Sequence, residues 1–209
     1  MISKKGYIVI AAIIATMIAD FLIIYFIDNS DPLDLLMRLC GLYGYFGISV
    51  STIMTPFLTE IKRTFGKAFI EVHHVTAAIG IGCITAHPVI MVIEEADASI
   101  FLPVLSSWTG FWTWAGAPAL ILLYVAFVAV LVRKQIKKYW RYFHALMYAV
   151  LLFGIIHANL IQGDFPYSPI LVAIYDILFI IVAVTFFLKR WQKYIARKNK
   201  AISAPASGT

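Results

Sequence analysis

The sequence predicts an all-α integral membrane protein: a bundle of six transmembrane helices with both termini in the cytoplasm. Three observations carry this. First, 62% of the 209 residues are hydrophobic and only 13% are charged, against roughly 25% charged in ordinary soluble domains. Second, six apolar stretches are each long enough to cross roughly 30 Å of hydrocarbon at about 1.5 Å per helical residue. Third, the joints between them alternate in sign. Sixteen of the 17 basic residues fall on one membrane face, and the positive-inside rule assigns that face to the cytoplasm.

The expected spans are 6–27, 33–58, 68–93, 109–132, 140–161 and 169–188. Lys4 and Lys5 precede the first. Its apolar run exceeds a usual signal-peptide core and lacks a small-x-small cleavage site, so it reads as a retained helix. The second opens with Asp34 and Arg38 and ends before Lys62, Arg63 and Lys67. The third leads to the acidic run Glu94, Glu95 and Asp97, which shares the outer face with Asp28, Asp31 and Asp164.

The segment 100–107 is apolar, too short to span and interrupted by Pro103. With Trp108, Trp112 and Trp114 behind it, it reads as an interfacial segment under an aromatic belt, or as a lid over an outer site. The fourth span ends at Arg133, Lys134, Lys137, Lys138 and Arg141, and the sixth at Lys189 through Lys200. These basic runs are accounted for as solvated topology signals, so no nucleic-acid partner is expected. Residues 1–200 form one membrane domain, in contact with lipid, and 201–209 read as a disordered tail. Cys40 and Cys83 have neither CxxC spacing nor a disulfide framework around them and read as small buried hydrophobes.

All five histidines lie on two spans: His73, His74 and His87 on the third, His144 and His157 on the fifth. Both spans run from the cytoplasm outward, so His73, His74 and His144 share an inner level and His87 and His157 an outer one. Packing could explain one intramembrane histidine; five at matched depths on two helices suit bis-histidine heme ligation at two levels. Fourteen residues rise about 21 Å and return to within about 40° of the same helix face, whereas thirteen land about 140° away. His73, fourteen before His87, is thus preferred to His74. His144 and His157 are thirteen apart, which requires local tightening, with Gly154 as its expected place.

The histidine spacings, together with Trp140, His144, Tyr148 and His157 in the pattern W-x-x-x-H-x-x-x-Y-x8-H, resemble the ferric reductase-like transmembrane domain. That family includes ferric reductases, NADPH oxidases and the heme subunit of periplasmic methionine sulfoxide reductase. RLCGLYGYFGISVSTIMTP resembles its opening helix and WTGFWTWAG the entry to its next one, so the likeness covers about 33–161. It implies a six-helix cytochrome b core with two b-type hemes, and makes thirteen-residue spacing on the fifth span a family habit. The flavin and NAD(P)H domain usual in that family is not expected here. Electrons would come from a cytoplasmic flavoprotein reductase or a quinol and pass to an outer-face acceptor.

Supporting roles follow. Arg38, near the outer end of the second span, is expected either to meet a propionate of the outer heme or to pair with Asp34. Arg141 and Lys67 either serve inner propionates or snorkel at the boundary. Gly41, Gly44 and Gly47 allow close approach of a helix or a macrocycle. Glu71 either orients an imidazole or marks a helix start. Tyr148 and Phe143 are expected against the inner heme, and Asp20 and Asp176 either deliver protons or bond neighbouring side chains. No catalytic residue is expected. Two other readings fit the same residues: a heme-free proton-relay transporter or channel, and a single-heme anchor subunit of a dehydrogenase.

Overall fold

The computed structural model describes residues 2–27, 31–161 and 168–202. Asp28, Asp164 and the expected tail from residue 203 lie outside the described residues. The described elements are helical: α1 (Lys4–Ile27), α2 (Pro32–Ile53), α3 (Leu58–Phe65), α4 (Phe69–Glu95), a 3₁₀ turn (Ala98–Phe101), α5 (Trp108–Thr113), α6 (Gly116–Leu131), α7 (Arg133–Ile136), α8 (Trp140–His144), α9 (Met147–Leu160) and α10 (Pro169–Ile202). Five helical stretches are long and apolar enough to cross a membrane: α1, α2, α4, α8 with α9, and α10. Their outward faces carry large apolar side chains such as Ile8, Phe26, Ile170 and Phe187, each more than 60% exposed. Water would penalise such a surface, whereas lipid accepts it; the chain is a multi-pass membrane protein.

Several boundaries depart from those the apolar runs predict, each for a local reason. The second helix stops at Ile53 rather than 58 because Pro56 lacks an N–H and disfavours helical geometry at Thr55. The polar joint behind it folds into α3, which ends at Gly66 in the left-handed region (φ 67°). The expected fourth span is divided by a turn at Trp114–Ala115 into α5 and a 16-residue α6. The last helix overruns its expected end by a basic extension to Ile202, since 189–202 contains neither Gly nor Pro to stop it. Cys40 and Cys83 are half-buried and unbridged.

Helices α2 and α4 form the tightest pair. A Cβ on Gly44 would lie 2.6 Å from the Ile84 nitrogen, and one on Gly80 would lie 2.8 Å from the Ile48 nitrogen. Only hydrogen at these positions allows the backbones to approach so closely, the usual device where lipid supplies no hydrophobic drive between helices. Around this pair the core gathers Ile24, Tyr45, Ile48, Leu123, Leu151 and Tyr175 from α1, α2, α6, α9 and α10. Ser3 donates its N–H to the Thr64 carbonyl at 2.9 Å, so the start of α1 sits beside the basic α3 end of the bundle.

Candidate functional site

Histidines at matched depths are brought together in pairs. The rings of His73 on α4 and His144 on α8 lie 6.3 Å apart, centroid to centroid, with planes at 80°. Phe69, one turn before His73, stacks on it at 5.3 Å, and Trp140, one turn before His144, lies 6.1 Å from it. His87 on α4 and His157 on α9 line a common cavity of about 370 Å³ with Arg38, Gly41, Trp114 and Gly116. His74 points outward and is exposed, its ring 6.0 Å from His73. The two levels expected from the spacing are therefore present as geometry, with His73 rather than His74 turned inward.

The orientation of the rings comes from backbone carbonyls. His73 Nδ1 donates to the Ser51 carbonyl at 3.1 Å, His87 Nδ1 to Met37 at 2.9 Å and His157 Nδ1 to Thr113 at 2.7 Å. A carbonyl can only accept, so in each case the proton sits on Nδ1 and Nε2 presents a lone pair. Among the described residues, no hydrogen bond uses those three Nε2 atoms. His144 Nδ1 is buried without a hydrogen-bond partner.

Two of these acceptors are available because helices end where they do. Pro56 cannot donate to Thr52, and the Thr55 N–H goes to the Thr52 carbonyl at 3.1 Å. That leaves the Ser51 carbonyl, which an unbroken helix would assign to Thr55, for His73. At the second break, the Ala117 N–H bonds Trp114 at 3.2 Å instead of Thr113, and the Thr113 carbonyl turns to His157. Glycines make room for the rings. A Cβ on Gly41 would lie 3.1 Å from His87 Nδ1, and one on Gly116 would lie 3.1 Å from His157 Nε2.

The tightening needed between His144 and His157 is also present, though not at Gly154. It falls at Ala145–Leu146, where Leu146 N–H bonds Phe143 and Tyr148 N–H bonds Ala145, both three residues back. Such 3₁₀ bonding advances the chain by about 20° more per residue than α-helix, narrowing the angular offset. Gly154 instead admits the Tyr45 ring, whose Cδ2 would lie 3.1 Å from a Cβ there.

Other expected site residues have specific neighbours. Arg38 grips Asp34 with two bonds, Nη2 to Oδ2 at 2.6 Å and Nε to Oδ1 at 3.0 Å, and both residues line the outer cavity. Arg141 is exposed and lies over the Trp140 ring at 5.5 Å. Glu71 pairs with Lys67 at 3.5 Å on the surface, while the Ser51 carbonyl holds His73. Tyr148 packs edge-on against Phe186 at 4.7 Å, and Phe143 is exposed. Asp176 accepts from Asn159 at 3.1 Å. Ile100 and Phe101 of the 3₁₀ turn face the outer cavity, while Leu102 and Leu105 point away and are exposed. Of that lining the sequence reading named Asp34, Arg38, Gly41, Trp114, Gly154 and the histidines, and gave the 100–107 segment as an interfacial belt or a lid over an outer site; it missed the rest. Gly116, placed as it is in WTWAG, was the available signal.

The donor set fits a bis-imidazole metal group. A metal–imidazole bond of about 2 Å on each side, plus half a ring, separates two centroids by about 6 Å, close to the 6.3 Å of His73 and His144. The apolar cavity that His87 and His157 both line agrees with it. Comparison of the chain with protein-family models, curated proteins and solved structures finds no match in any of the three. The resemblance to the ferric reductase-like domain therefore rests on the histidine spacings and the motif segments alone.

Proposed function

We propose that this chain is a plasma-membrane cytochrome b, ferric reductase-like, that carries electrons across the membrane through two stacked b-type hemes. His73 and His144 would hold the inner heme, and His87 and His157 the outer. The single observation that supports this most is that His73, His87 and His157 each give Nδ1–H to a backbone carbonyl. Such a hydrogen bond fixes the tautomer and ring direction and raises the basicity of the other ring nitrogen.

On this reading α5 and α6 together make a broken fourth span, six segments cross the membrane, and the positive-inside rule assigns both termini to the cytoplasm. Bis-histidine heme, when bound, supplies one-electron transfer without an open coordination position for substrate. The protein's own residues do the rest. Backbone carbonyls aim the imidazoles, and Gly41 and Gly116 clear the space beside them. The apolar cavity wall excludes water, and the Arg38–Asp34 pair sets the charge at the cavity. The donor is a cytoplasmic flavoprotein or a quinol, and the acceptor on the outer face is ferric iron, dioxygen or a soluble partner protein.

The test is the visible spectrum of the protein purified after heme-replete expression. A Soret band with two hemes per chain is the expected result; no Soret band would sink the reading. That outcome would shift the proposal to a heme-free proton relay, which the Tyr175–Asp20 and Asn159–Asp176 bonds favour. One heme per chain would favour the anchor-subunit reading.

A further inference from the structure

Among the described residues, Asp20 is the only acidic side chain that is fully buried, with 0% exposure. It lies on α1, where its Oδ2 accepts the Tyr175 hydroxyl of α10 at 2.7 Å. Its Oδ1 is buried with no hydrogen-bond partner. Tyr175 is itself 1% exposed, and it lines the outer cavity together with Tyr45 and with Ile24, one turn beyond Asp20. The carboxyl thus stands one hydroxyl group behind the wall of the cavity that holds His87 and His157.

The titratable groups around it are tyrosines. From α2, Tyr43 donates its hydroxyl to the Met17 carbonyl at 2.7 Å, one turn before Asp20, and the Tyr45 ring packs on Tyr175 at 5.9 Å. From α10 comes Tyr175, whose neighbour Asp176 bonds Asn159 of α9. Arg38 is occupied with Asp34 at the cavity. No cation forms an ion pair with Asp20 among the described residues. A carboxylate with a single hydrogen bond, at membrane depth and without a counter-ion, is costly, and such a group is more stable carrying a proton. The partnerless Oδ1 is the atom that would carry it.

We propose that Asp20 is a proton-binding site linked to the oxidation state of the outer heme; this rests on the two-heme reading above. Loss of one electron from the outer site to the acceptor leaves one additional positive charge in the cavity. That charge stabilises the Asp20 carboxylate, held at Oδ2 by the Tyr175 hydroxyl, and one proton leaves for outer-face water. Re-reduction brings in one electron and Asp20 binds one proton, so the net charge of the interior is the same in both states. Electron delivery to the outer face is thereby accompanied by proton release from Asp20.

The test is potentiometric titration of the purified full-length protein at a series of pH values, following heme absorbance in the wild type and in Asp20→Asn. One of the two wild-type midpoint potentials should fall as pH rises, with a slope approaching 59 mV per unit, the one-electron value of a tenfold change. In Asp20→Asn that potential should be independent of pH, the other being unchanged in both proteins. A slope that survives in Asp20→Asn, or no slope in the wild type, overturns the proposal. Absence of heme absorbance overturns the two-heme reading instead. Should Asp20→Asn fail to accumulate, redox-difference infrared spectra of the wild type decide the matter. A neutral carboxylic acid C=O band, sensitive to deuterium oxide, must appear on reduction, and Tyr175→Phe must move the sloping region to higher pH. Failure of either result overturns the proposal.

Discussion

His73 and His144 face each other across the bundle with ring centroids 6.3 Å apart and planes at 80°, while His74, the next residue in the chain, is exposed. Adjacent helix positions differ by about 100° in direction, so the rings of the His73–His74 pair cannot both point inward. His73→Ala should reduce the heme content from two per chain to one, and His74→Ala should leave it at two. Heme-to-protein ratios of the purified variants measure this directly. Retention of two hemes by His73→Ala would reject the assignment of the inner ligand.

Gly116 permits His157 to lie against α6, since a Cβ there would be 3.1 Å from both Cδ2 and Nε2 of the ring. Gly116→Ala asks the imidazole to give by a few tenths of an ångström. Gly116→Val adds two further methyl groups and should displace it. The valine variant is expected to lose the outer heme while its inner-heme spectrum persists, and the alanine variant to keep both with a changed outer midpoint potential. Separate potentiometric waves report the two sites.

Gly80 faces the α2 backbone, where a Cβ would lie 2.8 Å from the Ile48 nitrogen. That nitrogen belongs to a helix ladder and cannot turn aside as a side chain could. Gly80→Val must push α2 and α4 apart, and overpacking of this kind costs about 1–3 kcal/mol. A lowered thermal midpoint in detergent is expected, with partial loss of heme from both levels, because on the two-heme reading α4 supplies a histidine to each.

Asp97, beyond the end of α4, closes the outer 3₁₀ turn by accepting from Ser99 Oγ at 2.7 Å and from the Ser99 N–H at 2.8 Å. The Ser99 hydroxyl and then its amide hold the Asp97 carboxyl below the usual carboxylate range. A depressed folded value means that the turn gains stability above the ordinary pKa of about 3.9 and loses it as pH falls through the folded value. Hydrogen exchange at the Ser99 amide should accelerate across that acidic window. In Asp97→Asn the exchange should be faster at neutral pH and lack the acidic step. An unchanged pH profile in that variant would rule the mechanism out.

The long helices were legible because apolar runs longer than about 17 residues have few other uses. The two histidine levels were legible because depth follows from counting along a helix. The stops were harder to read. Pro56 announced the end of α2, yet the apolar run through Leu58 concealed it. The turn at Trp114–Ala115 is marked only from behind, by Gly116 and by Pro118, which has no N–H for the Trp114 carbonyl, and the turn at Ala145–Leu146 contains neither proline nor glycine to mark it. The end of α10 was not legible, because a basic run signals the membrane boundary without ending the helix. Glu71 reads either as an orienting acceptor or as the mark of a helix start; it lies in the first turn of α4, and the acceptor for His73 comes from α2, twenty-two residues away. Backbone carbonyls carry no signature in a sequence, since every residue has one.

That last property has an evolutionary consequence. The groups aiming His73, His87 and His157 belong to the main chain at Ser51, Met37 and Thr113, so the identities of those three side chains do not themselves set the direction of the imidazoles. Selection would act also on the punctuation of the helices, at Pro56 and around Trp114–Ala115. A survey of substitutions that looked only for polar neighbours of the ligands would overlook the positions that hold them in place.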